Sequence, residues 1–116
     1  MDYATHGIFV IRHVKHGTRK SAGVMWRGSI TTTYNQLITL LGEPTITRPT
    51  SDGKTQRQWV IYFRDEIFTI YDWKVYDINI VTTTLNEFQV AGFTEATEFI
   101  ERINHYIGEL ENVNNF

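Results

Sequence analysis

QWVIYFRDEIFTIYDWK, residues 58–74, decides the fold. Two runs rich in β-branched and aromatic residues, QWVIYF (58–63) and IFTIYDW (67–73), alternate with period 2 and are separated by the polar turn Arg64, Asp65 and Glu66. Trp59, Ile61 and Phe63 share one face of the first strand. Ile67, Thr69, Tyr71 and Trp73 share one face of the second, with Phe68 and Ile70 on the other. This is a β-hairpin, and the rest of the chain is read outward from it.

Upstream, Asp52-Gly53 marks a turn, and TITRPT (45–50) reads as an irregular or edge strand because Pro49 has no N–H for a ladder. Before it, Thr33 and Gln36 have the spacing of a capping box. Tyr34, Leu37, Ile38 and Leu41 then recur on one helical face, Gly42 suits a left-handed C-terminal position, and Pro44 stops continuation. The N-terminal part offers a second hairpin: GIFVIRHV (7–14), a basic tip with Lys15, His16, Arg19 and Lys20, and AGVMWRGSI (22–30). Downstream, residues 75–86 lack punctuation and suit a short strand or a loop. EFQVAGF (87–93) reads as a final strand. A second helix is expected from Thr94, with Glu95 and Glu98 in its first turn and an apolar stripe of Ala96, Phe99, Ile100, Ile103, Tyr106 or Ile107, and Leu110. The expected architecture is α+β: one domain over 1–116, a mostly antiparallel sheet of roughly four to six strands made of β-hairpins, packed against two helices.

Bulk composition fits that reading. The 116 residues suffice for one modest core, and 41% hydrophobic with 21% charged residues is ordinary globular composition. No stretch approaches the roughly 18 consecutive apolar residues of a membrane span. The N-terminus has an early acid and no secretory-type apolar core, so it reads as mature. With no cysteine, disulfides, thiolate metal sites and thiol nucleophiles are excluded together. The net charge of −2 is unevenly laid out. Residues 1–74 hold ten of the eleven Lys and Arg against six acids, +4; residues 75–116 hold Arg102 alone against seven acids, −6. One basic and one acidic surface are expected, open to different partners or to another copy of the chain.

No nucleophile elbow, phosphate loop, zinc-protease helix or dinucleotide fingerprint is present, so no catalytic residue is assigned and the chain is read as non-enzymatic. His13 and His16 have no third ligand nearby and are read as part of an exposed basic hairpin; no metal or cofactor is expected. Asp65 and Glu66 fit a solvated turn. Asp72 is expected on the polar face of its strand, paired with Arg57 or Arg64. Duplex binding would use the basic and aromatic residues of the first hairpin, but the acidic total argues against a long polyanion. A small nucleotide asks for less: a few cations for phosphate and an aromatic for the base. Arg57, Arg64, Tyr71, Trp73 and Lys74 on the central hairpin, with Arg12 and Arg27 on the first, are the candidate ligand-binding residues.

LLGEP, DGK, QWVIYF, FTIYDWK, the FQVAGF strand and the final helix together resemble a group of small phage proteins. In that group a helix ending in Gly-Glu-Pro precedes a Trp-x-Ile-x-Phe strand and a Thr-Ile-Tyr-Asp-Trp-Lys strand. The likeness covers residues 33–108. It departs at Glu66, where the group has Gly, and at AGF (91–93), where the group is glycine-rich. The resemblance implies an accessory protein of the host cytoplasm that counters host immunity. Such proteins include sponges that sequester nucleotide signals, among them cyclic oligonucleotides and cyclic ADP-ribose species, and inhibitors that block a host effector. A homo-oligomeric sponge with sites at subunit boundaries is the expected function. The alternative is an anti-CRISPR or anti-restriction type inhibitor using the acidic helix face of Glu95, Glu98 and Glu101.

Overall fold

A computed structural model describes residues 24–75 and 84–114, with side chains to Glu111. The elements run β1 (Met25–Thr32), α1 (Tyr34–Leu41), β2 (Gln58–Phe63), β3 (Glu66–Tyr71), β4 (Asn86–Gly92) and α2 (Thr97–Asn114). The four strands form one sheet in the order β1-β4-β3-β2, and every pairing is antiparallel. The α+β architecture expected from the alternation is therefore the one observed.

The central hairpin forms as the pattern demands. Trp59 pairs with Ile70, Ile61 with Phe68 and Phe63 with Glu66. Arg64 and Asp65 alone make the turn, both at positive φ (52° and 66°), the geometry of a two-residue type I′ connection. Trp59, Ile61, Phe63, Phe68, Ile70, Phe88, Val90 and Ile30 bury their side chains on one face of the sheet. Both helices cover that face: Leu37, Leu40 and Leu41 from α1, and Phe99, Ile103 and Ile107 from α2, with Ala96 just before it. Aromatic contacts tie the layers, with Phe68 stacked on Phe99 at 4.6 Å and Trp59 edge-on to Phe88 at 6.0 Å.

The Thr33 cap closes as expected. Its hydroxyl accepts from Gln36 N at 3.1 Å while the Gln36 side chain accepts from Thr33 N at 3.3 Å. Gly42 has positive φ (84°), but its ψ of −170° lies outside the left-handed helical region. Its N–H still closes the last turn on Ile38 O at 2.8 Å. The second helix starts three residues later than expected, at Thr97, so Glu98 lies in its first turn and Glu95 precedes it. TITRPT contributes one isolated bridge, Ile46 to Gln58, on the outer edge of β2. Of the N-terminal hairpin, only part of its second strand belongs to the described residues. That strand is β1, whose described partner is β4. Residues 7–14 and most of 75–86 lie outside them.

A bulge between Trp26 and Gly28 interrupts β1. Gly28 sits at φ +148°, and a Cβ there would lie 2.8 Å from Ile100 Cδ1 on α2, so glycine both shapes the bulge and lets the helix approach. The bulged Arg27 donates from Nε to Gly92 O (3.1 Å) and from Nη2 to Phe93 O (2.8 Å), pinning β1 to the end of β4.

Candidate functional site

At the end of the central hairpin away from its turn, the chain is organised around one buried carboxylate. Asp72 has the same parity as Phe68 and Ile70, and it points inward with 1% exposure. The expectation of a polar-face aspartate is corrected here, while its pairing with Arg57 is found. Asp72 Oδ1 accepts from Gln56 N (2.7 Å) and Arg57 N (3.1 Å), and Oδ2 accepts from Arg57 Nε (2.9 Å). Arg57 also donates to Val75 O at 3.3 Å and lies 5.6 Å over the Tyr34 ring. Burial pushes the Asp72 carboxyl above the ordinary aspartate value; the N–H groups of Gln56 and Arg57 and the Arg57 guanidinium pull back against it.

This anchor sets the chains on either side of it. Asp72 N donates to Arg57 O (3.3 Å) and Lys74 N to Lys54 O (2.6 Å), so residues 54–57 run beside 72–74. On the other flank, Ile46 and Gln58 exchange two backbone bonds and Thr50 N donates to Thr55 O at 2.9 Å. The loop between is closed on itself. Asp52 Oδ1 accepts from Thr50 Oγ1 (2.6 Å) and Lys54 N (3.1 Å), which holds its carboxyl below the ordinary value.

The corner built this way presents aromatic and cationic groups together. Trp73 is 43% exposed, with Lys54 Nζ 5.8 Å over its ring and Tyr71 edge-on at 6.5 Å. Lys74 is exposed at φ 59°, left-handed backbone that a lysine rarely adopts. Gln58, cross-strand partner of Tyr71, shares its face and lines a shallow open groove of about 420 Å³ with Ile46, Arg48, Pro49, Thr50 and Ser51.

The candidate ligand-binding residues are thus only partly brought together. Tyr71, Trp73 and Lys74 meet at this corner. Arg57 is beside it but committed to Asp72, and Arg27 is committed to the end of β4. Arg64 sits at the hairpin turn, about 25 Å along the strands from Trp73 by the rise per residue, and pairs with Glu98 at 3.0 Å. Arg12, like His13 and His16, lies outside the described residues. Glu95, Glu98 and Glu101 are exposed at the start of α2 and just before it. Two cations were not among the candidates: Lys54, whose signal was the Asp-Gly turn preceding it, and Arg48. Among the described residues no cluster of three His, Cys, Asp or Glu could hold a metal, and no helix is long and apolar enough to cross a membrane.

Comparison with known proteins adds no assignment: no family model matches the chain, and no curated protein and no solved structure matches it.

Proposed function

We propose that this chain is a non-catalytic binder of a small nucleotide-derived signal, acting as the sponge-type phage anti-defence protein that its resemblance implies. The observation that carries the reading is Trp73: an indole left open at a strand end, with one ammonium over its ring and a second, Lys74, next in sequence. An open aromatic face stacks a base, and adjacent cations neutralise phosphate. The reading includes a homo-oligomer, in the host cytoplasm, in which a second copy covers the ligand over the exposed Trp73. Titration calorimetry of the purified protein against cyclic dinucleotides, cyclic oligonucleotides and ADP-ribose isomers tests the reading. Heat with at least one of them, lost in W73A, is expected; no heat with any would sink it.

The second reading is a protein inhibitor of a host defence effector. Its support is the run of exposed carboxylates Glu95, Glu98 and Glu101, of which only Glu98 has an ion-pair partner among the described residues. The triple reversal E95K/E98K/E101K separates the two. Loss of a host protein from a pulldown with nucleotide binding retained favours the inhibitor.

A further inference from the structure

The groove beside Tyr71 contains three polar side chains that make no hydrogen bond or ion pair among the described residues: the Arg48 guanidinium, the Ser51 hydroxyl and the Gln58 amide. Its other hydroxyl, Thr50, is turned to Asp52. The backbone bonds place three segments side by side, 46–50, 55–58 and 71–74. With neighbouring extended chains about 4.8 Å apart, the outer two are separated by about 10 Å. Trp73 stands on one outer segment with Tyr71, Arg48 stands on the other, and Gln58 lies on the segment between them, sharing a face with Tyr71.

We propose that this groove is the phosphate end of the Trp73 site, so that the ligand is a nucleoside diphosphate or a molecule containing one, not a nucleoside. This rests on the reading of Trp73 as the base platform. A nucleoside stacked on the indole has no anionic oxygen to offer the Arg48 guanidinium, whereas a diphosphate directed across the middle segment brings several. Arg48 supplies a planar fork matched to phosphate oxygens, and Ser51 and Gln58 supply neutral donors beside it. Lys54 and Lys74 neutralise the remaining charge near the indole. Asp52 is the one carboxylate of the neighbouring loop, and its Oδ1 is drawn into that loop by the Thr50 hydroxyl and Lys54 N.

The test is calorimetry with adenosine, ADP and ADP-ribose on wild-type protein, R48A, R48K and W73A, each checked for unchanged thermal unfolding. ADP is expected to bind roughly ten- to a hundredfold tighter than adenosine, the range of one or two charge-assisted contacts. R48A should bring ADP close to adenosine, R48K should fall between because charge is kept and the fork lost, and W73A should remove binding of all three. ADP binding that W73A abolishes but R48A leaves at full strength overturns the groove assignment alone. Adenosine binding as tight as ADP overturns it too. No heat from any probe overturns this proposal together with the Trp73 reading.

Discussion

Asp72 is the residue on which the corner depends. Three N–H groups converge on its carboxylate, two from the backbone of residues 56 and 57 and one from Arg57 Nε. Truncation to alanine strands all three donors, and D72A should lose about 3 kcal/mol in urea unfolding, the usual scale for breaking a buried pair. The pH dependence has a definite sign. The folded-state value of Asp72 is raised, so its contribution is fully present below the ordinary aspartate value and is lost as pH rises through the raised one. Asp52, with a lowered value, runs the other way: its contribution is present above the ordinary value and lost as pH falls through the lowered one. Wild type should therefore lose stability relative to D72N as pH climbs through the carboxylate range, with Asp52 cancelling in the comparison. A difference flat with pH would refute this. Parity alone points Asp72 inward with Phe68 and Ile70; its charge argued for water, and the converging donors, 15 and 16 residues away in sequence, outweigh that argument. Those donors are invisible in a strand pattern.

At the scale of elements, local devices were the most legible part of the chain. The Thr33–Gln36 cap, the alternating faces of β2 and β3 and the apolar stripe of the second helix all follow from short-range spacing. T33A should cost about 1 kcal/mol, measured by chemical denaturation, because the Gln36 N–H loses its acceptor. The hairpin turn is less well suited to its own geometry. Arg64 and Asp65 hold positive φ without glycine, and the Arg64–Glu98 pair that would be lost on substitution is about half exposed. R64N/D65G should therefore stabilise the protein by about 1 kcal/mol, read as a raised unfolding midpoint. Gly92 is the opposite case. A Cβ there would lie 2.7 Å from Phe68 Cδ1, and Phe68 has Phe99 stacked on it. G92A should destabilise by about 1–3 kcal/mol through overpacking. The pairing of β1 with β4 was not legible, because it joins residues more than fifty positions apart and no turn signal announces it.

Over the whole molecule, the separation of charge acts on ligands by size. On the proposed reading, a nucleotide at the Trp73 corner meets Lys54 and Lys74 within a screening length of about 8 Å at physiological salt. A long polyanion extends beyond those two cations and also meets the net charge of −6 carried by residues 75–116. An oligonucleotide of twenty residues should therefore compete poorly, residue for residue, against ADP-ribose in a displacement titration. Equal competition would point to a nucleic-acid surface instead. Loop hydrogen bonds, not any periodic pattern, bring Lys54 to Trp73 and lay the segment of Arg48 beside Gln58. Strand and hairpin spacing therefore points to Arg64, at the far end of the central hairpin, and to Arg12 and Arg27 on the first, and passes over the nearer Lys54 and Arg48.

The three indoles occupy three distinct settings: Trp59 fully buried with Nε1 donating to Gly42 O, Trp26 62% exposed and bonded to Gln89, and Trp73 open beside an ammonium. Each setting has its own optical consequence. Trp59 should emit to the blue and resist every aqueous quencher until the chain unfolds, so it reports global melting. With Trp26, the other exposed indole, removed in W26F, Trp73 should be quenched by iodide, which Lys54 attracts, far more than by caesium, which it repels. The molecule thus carries separate built-in reporters for its core and for its candidate site, distinguishable by the sign of the quencher.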